Sequence, residues 1–370
     1  MSVLKSRPVL RWLVPVTAVA TVIGGGAALG TFAAQAEPSL PPRTAAQLLV
    51  DLQTSRLEGL SGTVVQRADL GLPPLAGLAG LAGGDNLTSL LTGTHTLRVW
   101  HSGPDRQRVA LLDTLGERDI IRNGRDVWTW DSRTNSATHR TLPTGDDETA
   151  APELPATPQD AADRALAAID PSTEVSVGRS ATVAGRDAYE LVLAPRDAAS
   201  LVHQVRIAID AREHVPLRFE VLADGSDKPA FEMAFTQVSY ARPDADRFTF
   251  NPPPGVKVTE ETVGDRPGGA RKAGDGERPD VRTVGESWAT VVVARLDGAG
   301  ARGGRERAPA AGAGSTGDAA ALLGALPAVS GDWGKGRLLT GKLFSVLLTD
   351  DGRVIAGAVT PERLYEVAKG

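Results

Sequence analysis

The sequence predicts an α+β protein in which a curved antiparallel sheet forms an incomplete β-barrel closed by helices, with a C-terminal strand and helix extension. Three observations carry that expectation. Only two helices are well announced before residue 260, whereas period-two alternation of apolar and polar residues recurs in many short segments. With 370 residues and 41% hydrophobic content, the chain has enough apolar surface for a real core. A sheet with one dry face must cover it, and with two helices at hand the simplest cover is a sheet bent around them.

The first forty residues set the compartment. Lys5, Arg7 and Arg11 precede an apolar run, 12–34, that ends in Ala34-Gln35-Ala36, the layout of a secretory signal. The run exceeds the roughly 7–15 residues of a typical cleavable core and approaches the roughly 20 needed to cross a bilayer. Both a cut before Glu37 and retention as an N-terminal anchor fit it. Residues 1–36 are therefore read as signal peptide or anchor and 37–43 as a Pro-rich spacer. With 0 cysteines, neither a disulfide nor a lipid-modified cysteine is available, and stability rests on packing.

Thr44 and Gln47 form a capping box ahead of Ala45, Leu48, Leu49 and Leu52 at helical spacing. Thr157 and Pro158 open a second helix through Ala162, Leu166 and Ile169, which Asp170-Pro171 stops. Tyr189-Leu191-Leu193, Val205-Ile207-Ile209, Leu217-Phe219-Val221 and Phe231-Met233-Phe235 alternate as strands, and Asn123-Gly124 and Ala184-Gly185 supply turn chemistry. A half-barrel domain is thus expected over 44–259. Residues 260–281 read as a flexible linker, and 282–370 as a β extension interrupted by a low-complexity stretch, 298–318. In that extension a strand is expected over 288–295, a hairpin over 343–359 turning at Asp351-Gly352, and a helix after Thr360-Pro361. Adding these strands to the main sheet is expected in preference to a separate module, because three strands and a short helix make a marginal core.

Catalytic constellations are sparse. Gly285-Glu286-Ser287-Trp288-Ala289 lacks the last glycine of a nucleophile elbow, and Ser287 reads as a strand entry ahead of a serine nucleophile. His95 and His101 share a strand face without clustering, and His139, His203 and His214 have no ligand-like spacing, so no metal or other cofactor is expected. The net charge of -5, without a basic stretch interleaved with aromatics, speaks against nucleic acid. No enzyme activity is expected. Trp128 and Trp130 share one strand face and Trp100 lies on an earlier strand; core filling and ligand contact are both open to them. Leu72, Leu75, Leu78 and Leu81 recur every three residues in a Gly-rich stretch and must cover something, as a lid, a loop plug or a lipid-surface contact.

Five segments in one order resemble the LolA-like superfamily, which includes the outer-membrane lipoprotein carrier LolA and the sigma-factor regulator MucB/RseB. They are the helix after Thr44, the strand 61–66, IIRNGRDVWTWDSRTNSAT at 120–138, VAGRDAYELVL at 183–193 and FTFNPPPGVKV at 248–258. The resemblance covers about residues 44–260. It implies an apolar cavity that accepts acyl chains of a lipid or lipoprotein; Trp100, Trp128, Trp130, Phe219 and Phe235 are the cavity candidates in this sequence, and the four leucines, read from their own spacing, are the lid candidates. An extracytoplasmic carrier or lipid-binding role is implied, or a regulatory module acting on an extracytoplasmic protein partner; the membrane is a partner if the N-terminal segment is uncut. The leucine-rich stretch, the linkers and the C-terminal strands have no counterpart in the short carrier.

Overall fold

The computed structural model describes residues 38–55, 57–72, 92–113, 116–142, 157–167, 169–261, 281–295, 324 and 326–370. The N-terminal apolar run, Leu75, Leu78, Leu81, residues 262–280 of the first linker and the whole of the second lie outside these residues; the first linker's ends, 260–261 and 281, are strand instead. No helix among the described residues is long and apolar enough to cross a membrane.

Helix α1, Ala45–Thr54, starts where its capping box requires. The Gln47 amide donates to Thr44 Oγ1 at 3.2 Å, and the Thr44 amide donates back to Gln47 Oε1 at 2.9 Å. Its apolar stripe, Leu48 and Leu52, is buried. Helix α2, Pro158–Ala167, turns the small residues Ala161 and Ala162 inward, which lets it approach the sheet closely.

Among the described residues, thirteen strands make the first sheet. They are β1 Leu60–Asp69, β2 Thr92–His101, β3 Arg106–Asp113, β4 Gly116–Asn123, β5 Asp126–Asp131, β6 Ser136–Thr141, β7 Thr173–Val177, β8 Ala181–Val183, β9 Arg186–Pro195, β10 Val202–Asp210, β11 Pro216–Ala223, β12 Pro229–Ser239 and β13 Lys257–Glu261. The order is β13-β6-β5-β4-β3-β2-β1-β12-β11-β10-β9-β7, with β8 also on β9, so the sheet is two meanders joined where β1 pairs with β12. It is mostly antiparallel and its ends do not meet, so no barrel closes. The expectation of a purely antiparallel sheet is corrected at one edge, where β13 runs parallel to β6. The chain crosses back over the outer face through the one-turn helix Ala245–Phe248 before pairing, and that crossover delivers it in the parallel sense.

One core gathers Leu111 of β3, Val64 of β1, Phe235 of β12, Ile207 of β10 and Leu193 of β9 together with Leu48, Leu52 and Ala162 of the helices. Strands β3 and β9 are six places apart, roughly 29 Å along a flat sheet. Sharing a core over that span requires the sheet to bend around α1 and α2. At the joint, a register shift between Thr63 and Val64 marks a bulge. A Cβ on Gly62 would stand 2.4 Å from the Gln237 carbonyl oxygen, so only glycine permits this approach of β1 and β12.

The C-terminal region corrects the expectation of an extension. Its strands pair among themselves in a second sheet ordered β14-β15-β19-β18-β17-β16, made of β14 Val281–Val284, β15 Val291–Arg295, β16 Ala328–Gly331, β17 Gly334–Thr340, β18 Ser345–Thr349 and β19 Arg353–Gly357. Helix α3, Pro361–Ala368, covers it, and Val291, Val293, Leu347, Ile355, Leu364 and Val367 form a core of their own. Six strands suffice where the three legible ones did not. Trp288, expected on the strand, instead sits in the one-turn helix Ser287–Ala289.

The two sheets are fastened together. Ser200 bridges to Val359, the Leu201 amide donates to the Ala358 carbonyl at 2.9 Å, and the Thr360 amide donates to that of Ala199 at 2.9 Å. At a second point the Lys342 amide donates to the Leu70 carbonyl at 2.7 Å. Trp288, Leu343 and Ala358 belong to the first core although they come from the C-terminal region.

Candidate functional site: the inner face of the first sheet

Alternation decides which side chains meet. From the strand register, Leu97 and Val99 of β2, Val64, Gln66 and Ala68 of β1, Phe231, Met233 and Phe235 of β12, and Phe219 and Val221 of β11 share the inner face. The opposite face of the same strands is charged. There Arg67 pairs with Glu232 at 3.0 Å, and Arg218 pairs with Glu190 at 3.1 Å and Glu220 at 3.4 Å. Burial pushes the Glu220 carboxyl up, with Arg218 acting the other way.

Two neighbouring inner-face residues, Gln66 and His95, break the apolar pattern. Gln66 is fully buried, and neither its amide nitrogen nor its amide oxygen has a hydrogen-bond partner among the described residues. It lies opposite Met233 on one side and His95 on the other. An unpaired buried amide costs about 1–3 kcal/mol, so the position is not explained by packing. A lone glutamine in strand β1 gave no spacing signal, and the sequence reading missed it.

The five aromatic residues proposed from the sequence are not brought together. Phe219 and Phe235 are buried on the inner face, with Phe219 edge-on to Phe231 at 6.4 Å between ring centroids. Trp100, Trp128 and Trp130 lie on the outer face, because their cross-strand partners are Arg108, Ile121 and Asp119. The crossover covers two of them: Phe250 lies 5.2 Å from Trp128 and 6.1 Å from Trp130. His139 stacks on Trp128 at 4.3 Å and Arg108 stands 5.4 Å above the Trp100 ring. Of the lid candidates, Leu72 is half-buried against the core, and the other three lie outside the described residues.

Ser287 is buried and its hydroxyl is engaged. With φ of 57° it sits in the left-handed region, and its Oγ donates to Asp170 Oδ2. Asp170 Oδ1 also accepts from Ser172 Oγ at 2.5 Å, and the two hydroxyls touch. Beside them Trp288 Nε1 donates to Thr173 Oγ1 at 2.8 Å. The group ties the second sheet to the first. No cluster of three metal-ligating side chains occurs among the described residues.

A curved, mostly antiparallel sheet lies over two helices, and the ordered segments keep their resemblance to the LolA-like superfamily. Residues 91–254 match the family model of the MucB/RseB N-terminal domain. Among solved structures, the chain is similar to the Pseudomonas aeruginosa MucA/MucB complex, with 17% identity, 88% of this chain and 96% of that chain covered, and a TM-score of 0.44. It is also similar to a LolA superfamily protein from Nitrosomonas europaea, with 13% identity, 56% and 99% covered, and a TM-score of 0.24. No curated protein sequence matches the chain.

Proposed function

We propose that this chain is a non-catalytic extracytoplasmic binding protein whose inner sheet face takes an acyl chain of a lipid or lipoprotein. The observation that carries the reading is Gln66: a wholly buried amide with both ends unpaired among the described residues, set beside His95 in an otherwise apolar face. An acyl chain supplies the apolar partner, and the ester or amide carbonyl at its head supplies an acceptor for the Gln66 nitrogen. Each methylene moved out of water contributes about 0.8 kcal/mol, and a membrane offers a similar gain, so exchange between membrane and protein is nearly balanced. Binding of that kind needs no catalytic group. Native mass spectrometry of residues 37–370 tests it: a co-purifying or added lipid is expected on the intact protein and weaker on Gln66→Met, and absence of any adduct overturns the reading.

A second reading is a regulatory module acting on a membrane partner, and the match of residues 91–254 to the MucB/RseB N-terminal domain favours it. Deleting the C-terminal region is a poor test, since it also strips Trp288, Leu343 and Ala358 from the first core. A photo-crosslinking residue at Ser330, exposed on edge strand β16, is cleaner. A single discrete protein adduct in cells supports the regulator, and a ladder of unrelated adducts argues against it.

A further inference from the structure

The second sheet carries a polar cleft of about 570 Å³, remote in function from the inner face and lined by four cationic side chains, Arg282, Arg295, Arg353 and Lys369. In the strand register, Arg295 of β15 lies directly opposite Arg353 of β19, while Arg282 of β14 lies opposite Val293, two residues before Arg295 and on the same face. Three guanidinium groups therefore crowd one face of three neighbouring strands. Like charges directly opposed across an antiparallel pair are destabilising, so the arrangement needs a reason.

Part of the charge is met within the protein. Arg353 Nε donates to Asp351 Oδ2 at 2.7 Å and its Nη1 donates to the Ala368 carbonyl at 2.9 Å, which also caps the end of α3. Lys369 pairs with Asp332 at 3.2 Å. Those are the two carboxylates of aspartate that line the cleft, and both are taken. The side chains of Arg282 and Arg295 have no hydrogen-bond or ion-pair partner among the described residues, and both residues are exposed. Val293 and Trp333 give the cleft an apolar element, the Trp333 indole being held in place by stacking on Tyr365 at 5.4 Å.

We propose that this cleft binds a small phosphate monoester. Two uncommitted guanidinium groups complement a phosphoryl group, which carries about -1.5 to -2 charge at neutral pH, and their planar forks suit its oxygens in paired hydrogen bonds. The volume falls within the roughly 300–1,000 Å³ of small-molecule sites and exceeds what a bare anion needs, so the organic part of the monoester lies along Val293 and Trp333. No signature of this site stood out in the sequence, because Arg282, Arg295 and Arg353 are contributed by three strands that only the pairing order β14-β15-β19 makes neighbours.

Titration calorimetry of the full chain with glycerol 3-phosphate and, separately, inorganic phosphate tests the proposal. Saturable binding of glycerol 3-phosphate, tighter than inorganic phosphate, is expected. Arg282→Gln and Arg295→Gln should each weaken it about tenfold, as loss of one charge-assisted hydrogen bond does. Arg125→Gln, an exposed arginine in the turn between β4 and β5, should leave it unchanged. Circular dichroism on each variant establishes that the fold is intact, which both exposed sites allow. The proposal is overturned by absence of saturable binding, by binding that survives the double substitution, or by inorganic phosphate binding as tightly as the monoester.

Discussion

Asp119 and Asp210 are each buried and each paired with an arginine, and their carboxyls move in opposite directions. Burial dominates at Asp119 and raises it to about 6 despite Arg108 at 2.6 Å, since its Oδ1 finds no partner. At Asp210 burial works the same way, but it is outweighed by Arg186, by the amides of Arg212 and Glu213 and by the Tyr240 hydroxyl, and the carboxyl is lowered. The consequences for stability are opposite in sign. Asp119 contributes stability that is full below its unfolded value of 3.8 and is lost as pH rises through about 6. Asp210 contributes stability present above 3.8 and lost as pH falls through its lowered value. Because Asp119 lies opposite Trp130, and its partner Arg108 covers Trp100, tryptophan fluorescence should titrate with a midpoint near 6. In Asp119→Asn that step should vanish; a midpoint unmoved by the substitution assigns it elsewhere. Gln66 belongs to the same scale. Gln66→Met removes two unpaired polar atoms at nearly constant volume, and should raise stability by about 1 kcal/mol in urea unfolding. A fall in stability would mean that the amide has a partner after all.

Among the elements, those whose causes are local were legible and those set by remote partners were not. Helix α1 was announced by Thr44, Gln47 and the leucine spacing, and it begins at Ala45. Thr44→Ala should cost about 1 kcal/mol, read as a lowered denaturation midpoint with unchanged slope. Strands β9 to β12 follow their alternation, because each has one face on the core. Strand β13 could not be read this way: four of its five residues are exposed, it has no dry face, and its parallel pairing is imposed by the crossover. It is held in part by His139, whose ring contacts Glu260 at 2.7 Å and Asp126 at 3.1 Å. Partial burial works against the charged ring, but the two carboxylates more than offset it and raise its pKa. A raised histidine stabilises fully below its unfolded value of 6.5, and that contribution is lost as pH rises through the folded value. Amides of Val258, Thr259 and Glu260, corrected for intrinsic rate, should therefore exchange faster at about pH 9 than at about pH 6. His139→Gln should erase the difference, and equal protection at both values would show that the backbone ladder alone holds β13.

At the scale of the whole molecule, the second sheet has its own core yet lends Trp288, Leu343 and Ala358 to the first. Sharing side chains this way predicts that the two sheets unfold together. Trp288→Ala removes a buried indole and its hydrogen bond to Thr173, at a cost of about 3–5 kcal/mol to the first sheet. Calorimetry should show one transition for the native chain and two for this variant; two transitions in the native chain would contradict the coupling.

By itself the sequence determined the two main helices, the period-two strands and the direction of their dry face, because each depends on residues within a turn or two of one another. It also determined the ordered segments shared with the LolA-like superfamily. Only the tertiary structure decided that the tryptophans face outward, that Gln66 is buried without a partner, that the last strands form a second sheet and that three arginines meet in one cleft. Each of those depends on strand order, which brings together residues tens to hundreds of positions apart, and strand order is fixed by which dry faces the assembled layers can cover at once.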